Sequence, residues 1–498
     1  MTLADVRIVQ RVLPDRNDIV ILVVHSLSAS QIGLQRTERH KRLNIILKEL
    51  HIMVNKPIKK CINPLCRLCY DIDTAVNICK CGSFLDVIYD KKPSKKLTEL
   101  FYERRNPKGN IFNESGVWRF RELINFLGVD TEDFNECSKV LVSLDGSEGR
   151  QSKPYRMSKV AQFANMDPDS MFLQPEGYNP SGSFKDNGMS TAVTHAKLLG
   201  TIKLICASTG NTSASAAMYA ANENMACEVF VPKGEVAPGK LGQAFQFGAQ
   251  VVEVDGNFDD ALSHSLKVCE NDGGYTVNSI NPFRIEGQKT IIYRLLEHLN
   301  WTPPDWIVYP GGALGNTSSC GKAIMELYDW GWIKKIPRLL VVNATGANTF
   351  YELTTGKFGG RKLQWNNGKP DLELLNDYYQ DKDRSGTKPK TKATAIQIGK
   401  PVNIMKALRA LDFTKGVVVE VTDKEMSDGM AVVGLNGFDC EMASGAVPAG
   451  IKKLRKEGLI KSDDIVVGIL TGKQKDPYLS IEYHMNSENM FARPPRTG

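Results

Sequence analysis

Hydrophobic and polar residues alternate in a regular order between residues 202 and 342. Short apolar runs between polar or glycine-containing turns predict strands at residues 202–208, 227–231, 250–254, 306–309 and 339–342. Segments with apolar residues every three or four positions predict helices at 212–221, 240–247, 259–271, 284–299 and 317–329. This order predicts an α/β fold in which parallel sheets carry helices on both faces.

The rest of the chain divides by pattern into further segments. Residues 1–55 contain one strand-like apolar run at 19–24 and one helical pattern at 37–51, and we expect a peripheral extension there. A cysteine-rich module is predicted at 56–92, and a catalytic region at 93–498 with two α/β subdomains, the smaller at roughly 178–280. Residues 364–392 are polar and predict a surface excursion.

Composition indicates a globular protein with a sizeable core. Hydrophobic residues make up 42% and charged residues 24% of the 498 residues. The apolar run at 19–24 is far shorter than the roughly 20 residues of a membrane helix, so we expect no membrane partner. The net charge is +7, and the basic stretch at 91–110 has few interleaved aromatics, which favours a solvated linker over a nucleic-acid site.

Five of the eleven cysteines fall between residues 61 and 81, so they do not form an evenly spread disulfide framework, and we expect a reducing, cytoplasmic setting. Close pairs of thiolates separated by a short hairpin suit one tetrahedral ion. We therefore predict a structural zinc ribbon, a small metal-binding hairpin module, with ligands Cys66, Cys69, Cys79 and Cys81. Cys61 is a spare candidate, and free cysteines in a small core are the alternative.

A turn-rich loop, Asn179-Pro180-Ser181-Gly182-Ser183-Phe184-Lys185-Asp186, leads into a helical pattern at 190–199. The unpaired N–H groups of a helix start disfavour a second positive charge, so a partly desolvated Lys185 is expected to lose its proton readily. Such an amine can anchor an aldehyde cofactor covalently. A surface lysine at a helix N-terminus is the alternative, and on the loop alone it is the more common case.

Three loops follow predicted strands, where ligands bind in parallel α/β folds. The first, Ser208-Thr209-Gly210-Asn211-Thr212-Ser213, is polar. The second contains Gly311, Gly312, Ala313, Leu314, Gly315 and Asn316 before a helix, which suits one phosphate group better than a dinucleotide. The third places Thr471 after the strand at 465–470. An amine, a phosphate cup, a polar floor and a hydroxyl together describe a site for pyridoxal phosphate.

These motifs, together with the segment Asn278-Ser279-Ile280-Asn281-Pro282-Phe283-Arg284-Ile285-Glu286-Gly287-Gln288-Lys289-Thr290, resemble the threonine synthase family of fold type II pyridoxal-phosphate enzymes from about residue 61 to 483. The resemblance implies that Lys185 anchors the cofactor, that Asn211 bonds its phenolic oxygen and that Thr471 faces its ring nitrogen. It also implies that the glycine loop holds the cofactor phosphate. The substrate residues that it implies are Ser208, Thr212, Asn278, Ser279 and Arg284.

The resemblance further implies conversion of O-phospho-L-homoserine and water into L-threonine and phosphate by γ-elimination and β-hydration, in a homodimer. Arg284 offers a planar fork for the substrate phosphate, although a structural arginine at a helix start is the alternative. The chain departs from the family at Ala313 and in its short loop after Thr471, which affects the expected substrate contacts. The rival functions are a threonine or serine dehydratase and a non-catalytic zinc-ribbon binding protein.

Overall fold

The computed structural model describes residues 8–12, 19–23, 56–106, 109–129, 138–234 and 238–494. The chain divides into two units, Met1–Asn55 and Lys56–Gly498. In the first unit, β1 (Ile8–Val12) pairs antiparallel with β2 (Ile19–Val23), which confirms the strand predicted at 19–24. The helix predicted at 37–51 lies outside the described residues.

The second unit opens with a small antiparallel sheet in the order β4-β3-β5, formed by β3 (Ile58–Cys61), β4 (Cys69–Asp71) and β5 (Leu85–Ile88). The helices of this second unit are numbered here in chain order. They are α1 (Leu97–Glu103), α2 (Ile111–Glu114), α3 (Ser158–Ala164), α4 (Lys185–Leu198), α5 (Asn211–Asn222), α6 (Pro238–Gln246), α7 (Phe258–Asp272), α8 (Pro282–His298), α9 (Gly315–Asp329), α10 (Thr349–Thr355), α11 (Leu372–Ser385), α12 (Ile404–Thr414), α13 (Asp423–Gly434), α14 (Met442–Lys456) and α15 (Pro477–Met485). Short 3₁₀ turns lie at Trp118–Ile124, Glu176–Tyr178, Asn366–Gly368 and Thr394–Ile396.

The smaller parallel sheet has the order β10-β9-β8-β11. Its strands are β8 (Lys203–Ala207), β9 (Ala226–Pro232), β10 (Gln250–Val254) and β11 (Tyr275–Thr276). Each strand pairs in parallel with its neighbour, because a helix returns the chain across a face of the sheet between strands.

The larger sheet has the order β14-β13-β12-β15-β7-β6. Its strands are β6 (Tyr155–Arg156), β7 (Met171–Pro175), β12 (Trp306–Pro310), β13 (Arg338–Ala344), β14 (Val417–Val421) and β15 (Val466–Leu470). All its pairings are parallel except that of β6 with β7. Every residue of β7, β12 and β15 is buried, as expected for strands covered by helices on both faces.

These sheets confirm the predicted α/β architecture, and they bring the carboxyl ends of β8, β12 and β15 toward the helix starts that follow. Helix α8 is buried from Pro282 to Glu297, so it lies inside the molecule between other elements. The prediction of a surface excursion at 364–392 is wrong in part, because this segment contains α11, which buries Leu374, Leu375 and Tyr378. None of the helices in the described part of the chain is both long and apolar enough to cross a membrane.

The cysteine module packs onto this interior. The ring of His195 on α4 stacks on Phe283 with ring centres 3.6 Å apart, and its Nε2 lies 2.8 Å from the carbonyl oxygen of Ile72. The carbonyl can only accept, so Nε2 carries the proton and Nδ1 accepts from the Tyr275 hydroxyl at 2.7 Å. Burial lowers the pKa of His195 to about 3, and the neutral ring is satisfied on both sides.

Candidate functional site

The lysine loop is held by one buried carboxylate. Asp186 accepts hydrogen bonds from the Ser181 amide at 2.7 Å, the Ser181 hydroxyl at 2.6 Å and the Ser215 hydroxyl at 2.6 Å. Gly182 has a φ of +84°, a conformation that favours glycine, and it lets the chain turn into α4. Lys185 is the first residue of α4, which agrees with its predicted position at a helix start.

The surroundings of Lys185 favour its neutral, nucleophilic form. The pKa of Lys185 is lowered to about 7, because burial and the positive charge of Arg284 lower it more than the negative charge of Glu441 raises it. The Nζ atom lies 4.2 Å from the centre of the Phe184 ring. An amine that is about half deprotonated near pH 7 suits attack on an aldehyde.

The loop after β15 runs alongside the lysine loop. The Phe184 amide donates to the Thr471 carbonyl at 2.9 Å, and the Lys473 amide donates to the Gly182 carbonyl at 2.8 Å. These bonds bring Thr471, whose hydroxyl is predicted to face the cofactor, next to the lysine loop. In sequence, Thr471 and Lys185 are 286 positions apart (471 − 185).

The predicted phosphate cup lies between β12 and α9. The Gly311 amide donates to the Val342 carbonyl at 2.7 Å, and a Cβ on Gly311 would come within 2.6 Å of a Val341 methyl carbon. A Cβ on Gly312 would lie 3.0 Å from the Cα of Ile396. Only glycine therefore leaves the backbone in place at this turn.

The helix start beyond the cup is suited to an anion. Leu314 precedes α9 with a left-handed φ of +64°, and among the described residues no side chain caps the first N–H groups of α9. A leucine at positive φ is uncommon, and the surrounding structure must hold this strained turn in place. Free N–H groups at a helix start form an anion site, as predicted for Gly315 and Asn316.

A carboxylate that the sequence prediction missed joins the polar floor to the last loop. The Asn211 amide donates to Glu441 Oε2 at 2.9 Å, and the Thr471 hydroxyl donates to Glu441 Oε1 at 2.7 Å. Glu441 immediately precedes α14, where an acidic residue is ordinary, so the sequence carried no signal for this role.

Arg284 lies fully buried at the start of α8. Its Nη1 donates to the Val277 carbonyl at 2.6 Å, whereas its Nε and Nη2 have no hydrogen-bond partner within the part of the chain that the structure describes. Burial lowers the pKa of Arg284 to about 10, so it remains charged. Gly188 makes room for it, because a Cβ there would lie 2.8 Å from the Arg284 Nε.

The neighbouring substrate candidates lie in two places. The Asn278 side chain exchanges two hydrogen bonds of 2.9 Å with the backbone of Ala207, so it fixes the end of β8 next to Ser208. Ser279 lies beside the cup, because its Cβ would be 3.6 Å from a Cβ on Gly315. Thr212 is the second residue of α5, whose start no side chain caps among the residues described.

A buried ion pair supports α8 from behind. Arg294 Nη2 donates to both carboxylate oxygens of Glu176, at 2.8 and 3.0 Å. The amides of Asn179 and Asn187 also donate to Glu176, at 2.9 and 2.8 Å. This network ties the lysine loop, α4 and α8 together.

These residues fit pyridoxal phosphate. The Thr317 hydroxyl at the start of α9 is buried without a hydrogen-bond partner among the described residues, and Arg284 has two such nitrogen atoms. Buried donors of this kind are costly unless a ligand satisfies them. The single phosphate of the cofactor suits the glycine cup. The two unpartnered nitrogen atoms of Arg284 would suit a second anion, one that belongs to the substrate.

The cysteine cluster differs from the prediction. The thiols of Cys61, Cys66, Cys79 and Cys81 lie within 4.8 Å of one another, with Sγ–Sγ distances of 3.5 Å for Cys61–Cys81 and 3.6 Å for Cys66–Cys79. Cys69, which the sequence predicted as a ligand, is not part of this group, and the spare candidate Cys61 belongs to it instead.

Strand alternation explains this correction. Cys69 pairs with Lys60 across the sheet, so both side chains point to the exposed face. Cys61 follows Lys60 directly and therefore points to the opposite, buried face. Tyr70 lies on that face as well, and its hydroxyl donates to the Cys79 thiol at 3.3 Å.

Comparisons with known proteins identify the family of this chain. The pyridoxal-phosphate dependent enzyme family model matches residues 153–472. Threonine synthase of Methanocaldococcus jannaschii is 38% identical over 427 residues, covering 85% of this chain and 94% of that protein. Threonine synthase of Methanosarcina acetivorans is 35% identical over 426 residues, covering 85% and 93%.

Solved structures show the same fold at low identity. The fungal L-serine ammonia-lyase from Rhizomucor miehei has a TM-score of 0.53 at 21% identity, covering 68% of this chain and 98% of that chain. Threonine deaminase isoform 2 from Solanum lycopersicum has a TM-score of 0.52 at 18% identity, covering 71% and 93%. These structures share the architecture, whereas the threonine synthases match the sequence over most of its length. The chain belongs to the pyridoxal-phosphate dependent enzymes and, among them, to the threonine synthase family.

Proposed function

We propose that this chain converts O-phospho-L-homoserine and water into L-threonine and phosphate. The observation that carries the proposal is Arg284, a fully buried cation next to Lys185 with two nitrogen atoms that lack a partner in the described residues. A planar fork of this kind matches the oxygens of a substrate phosphate. A hydroxy amino acid without phosphate would leave the fork unpaired.

The other site residues receive roles that fit this substrate. Gly311, Gly312, Ala313, Leu314, Gly315 and Asn316 hold the cofactor phosphate, and Ser208 and Thr212 hold the substrate carboxylate at the uncapped start of α5. Ser279 assists Arg284, and Asn278 fixes the loop that carries Ser208. Asn211 and Thr471 contact the two polar positions of the cofactor ring.

Lys185 moves the protons in this reaction. When bound, pyridoxal phosphate accepts the electron pair left behind when the α proton is removed. The Lys185 Nζ takes that proton, releases it and then takes a second proton from the β carbon, and Arg284 stabilises the phosphate that departs from the γ carbon. The hydroxyl of water then adds at the β carbon and the remaining proton of that water goes to the phosphate, while the Lys185 Nζ returns one proton to the γ carbon and one to the α carbon.

The experiment compares phosphate and threonine release for the wild type, Lys185→Ala, Arg284→Ala and Arg284→Lys. Lys185→Ala abolishes turnover. Arg284→Ala loses charged hydrogen bonds worth about 1.5–3 kcal/mol each, which for two bonds corresponds to a loss of roughly 10²–10⁴ in kcat/KM. Arg284→Lys recovers only part of it, because the charge remains and the fork does not.

Unphosphorylated threonine and serine serve as control substrates. A dehydratase would turn them over, and Arg284→Ala would leave that turnover intact. Strong turnover of these amino acids by the wild type, without threonine from phosphohomoserine, would therefore overturn the proposal. The alternative of a non-catalytic zinc-ribbon binding protein is not supported, because threonine synthases match most of the chain.

We further propose that Cys61, Cys66, Cys79 and Cys81 bind a structural zinc ion. A tetrahedral Zn–S distance of about 2.3 Å requires sulfur atoms roughly 3.8 Å apart, close to the Cys61–Cys81 and Cys66–Cys79 separations of 3.5 and 3.6 Å. Four protein ligands leave no position for water, so the ion would support the module and take no part in the reaction.

The zinc proposal has a matched control within the same module. Metal content is measured for the purified wild type, Cys61→Ser and Cys69→Ser. Cys61→Ser loses most of the bound zinc, and Cys69→Ser retains it. Equal zinc loss in both variants would contradict the ligand set.

A homodimer in the cytoplasm remains the expected setting, and sedimentation of the holoenzyme tests the dimer.

A further inference from the structure

Asn403 immediately precedes α12 but does not cap that helix. Asparagine at this position usually accepts a hydrogen bond from the first amides of its own helix, whereas the Asn403 side chain makes no such bond within the described chain. Its Nδ2 donates instead to the Ser279 carbonyl at 3.2 Å. The residue is fully buried, so its side chain is committed to the interior and to the loop before α8.

The backbone of Asn403 is tied to the glycine cup. Its amide donates to the Ala313 carbonyl at 3.2 Å, and its carbonyl accepts from the Ser318 hydroxyl on α9 at 3.4 Å. Its Nδ2 would lie 3.8 Å from a Cβ on Gly315. Asn403 therefore lies between the cup and the Ser279 loop, that is, between the proposed sites for the cofactor phosphate and for the substrate phosphate.

The Ser279 carbonyl fixes the orientation of the Asn403 amide. A carbonyl only accepts, so the amide turns its nitrogen toward Ser279 and its oxygen away from it. That oxygen, Oδ1, is buried and has no hydrogen-bond partner among the residues that the structure describes. A buried acceptor is costly unless a ligand supplies a donor. Asn403 Oδ1 is thus an acceptor of known direction that awaits a proton.

Gln288 connects this amide to Arg284. It follows Arg284 by about one turn of α8, and its Nε2 would lie 3.0 Å from a Cβ on Gly188, which would be 2.8 Å from the Arg284 Nε. Its Oε1 would lie 3.5 Å from a Cβ on Gly315, close to the Asn403 Nδ2. The three side chains therefore border one polar space. No hydrogen bond in the described chain fixes the Gln288 amide, so the fixed acceptor of this space is Asn403 Oδ1.

An acceptor beside donors selects an anion that carries a proton. The Arg284 nitrogens offer N–H groups, which any phosphate or sulfate oxygen can accept. Asn403 Oδ1 has no proton to give, so it bonds only an oxygen that carries one. A phosphate monoester loses its second proton with a pKa of about 6, so a form with one P–O–H group is still present near neutral pH. Sulfate carries no proton under these conditions.

We propose that Asn403 is a specificity-determining residue whose Oδ1 accepts the remaining proton of the substrate phosphate. The inference rests on the proposed function, in which Arg284 binds that phosphate. When the bond between the γ carbon and oxygen breaks, its electron pair goes to the oxygen, so the protonated ester leaves as the hydrogen phosphate dianion. The unprotonated ester would leave as the phosphate trianion, a more basic and poorer leaving group. Asn403 favours the form of the substrate with the better leaving group.

The test measures the affinities of inorganic phosphate and of sulfate for the holoenzyme by titration calorimetry. At neutral pH every phosphate ion carries at least one proton and sulfate carries none. One hydrogen bond to an ion corresponds to roughly 10- to 100-fold in affinity, so the wild type prefers phosphate to sulfate by about this factor. Arg284→Ala weakens the binding of both ions. Phosphate binding that Arg284→Ala leaves unchanged would overturn the inference.

Two substitutions of Asn403 shift this preference in opposite directions. Asn403→Leu removes the acceptor at similar volume, so the preference for phosphate disappears, whereas a purely structural role would weaken both ions equally. Asn403→Asp repels the unprotonated sulfate but still accepts the phosphate proton, so the preference rises. Asn348→Leu is the matched control, because Asn348 precedes α10 and its side chain also leaves its helix uncapped in the described chain. This control keeps the wild-type preference.

Two further results overturn the inference: equal affinities of the wild type for both ions, or a wild-type preference in Asn403→Leu. If Asn403→Leu does not retain the cofactor, Asn403→Asp decides, because an unchanged preference in that variant has the same consequence. Threonine release from phosphohomoserine by the wild type is measured separately. Its absence would refute the proposed function, whereas the two anion affinities report on Asn403 without any turnover.

Discussion

The lowered pKa of Lys185 predicts how the apoprotein captures its cofactor. Only the neutral amine attacks the aldehyde, so the rate of capture follows the deprotonated fraction of Lys185. With a pKa of about 7, that fraction rises with pH and reaches half near pH 7. An ordinary lysine with a pKa of about 10.4 is only about 0.04% neutral at pH 7, so the site increases the reactive fraction about 10³-fold.

Two neighbours shift this midpoint in opposite directions. Arg284→Ala removes a positive charge that lowers the pKa of Lys185, so the midpoint moves to higher pH. Glu441→Gln removes a negative charge that raises this pKa, so the midpoint moves to lower pH. Burial is the largest cause of the shift, and both variants therefore keep a midpoint well below that of a free lysine.

The assay mixes apoprotein with pyridoxal phosphate and follows the visible absorbance of the lysine-bound cofactor. Rates are recorded at a series of pH values, and borohydride trapping followed by peptide mass spectrometry verifies that Lys185 is modified. Arg284→Lys is the control, because it keeps the charge and should hold the midpoint near that of the wild type. A wild-type midpoint near that of a free lysine, or shifts of the same sign in both charge variants, would refute the reasoning.

Three further changes test the packing around the site by urea unfolding. Gly188→Ala overpacks the contact with Arg284 and lowers the free energy of unfolding by about 1–3 kcal/mol, whereas Gly434→Ala, with open space at its Cβ, changes it by less than about 1 kcal/mol. Glu176→Gln leaves a buried arginine without its counter-ion and costs about 3–5 kcal/mol, whereas the exposed Asp412→Asn stays within about 0.5 kcal/mol. Because His195 has a folded pKa of about 3, the unfolded chain binds its proton first, so stability falls as pH drops from about 6.5 to 3, and His195→Asn reduces this slope.

The sequence predicted the elements whose signals are local. The strand at 250–254 matches β10 residue for residue, and Lys185 begins a helix because a turn-forming loop leads into a helical pattern. The glycine cup was predicted because three closely spaced glycines precede a helix start. In each case the residues that determine the structure are neighbours in the chain.

Long-range contacts escaped prediction. Glu441 accepts hydrogen bonds from Asn211 and Thr471 only because α14 begins beside the end of β15. A single sequence does not reveal that arrangement. The choice of Cys61 over Cys69 depends on strand register, and one residue of register moves a side chain to the other face of a sheet. Helix α11 was missed because its polar residues outnumber the few that it buries.

The cysteine module also contacts helices α9 and α12. Asp86 on β5 pairs with Lys406 at 2.9 Å and with Arg409 on α12, and Lys322 on α9 donates to the Val87 carbonyl at 2.8 Å. The buried hydrophobic cluster around the thiols consists only of Cys61, Cys79 and Leu85, with Cys66 and Tyr70 packed against it, so few apolar contacts hold the thiol end of the module.

A bound ion would therefore hold the backbone that contacts the catalytic helices. Ile72 accepts the hydrogen bond from His195, whose ring stacks on the residue before Arg284. We expect zinc chelation to raise KM for the phosphorylated substrate more than it lowers kcat, because Arg284, the proposed phosphate ligand, loses its support while Lys185 keeps its own loop contacts. Steady-state kinetics before and after chelation, with zinc added back, measure this split. Cys69→Ser without chelation leaves the proposed ligand set intact. If this variant shows the same rise in KM as the chelated wild type, the effect does not come from the metal.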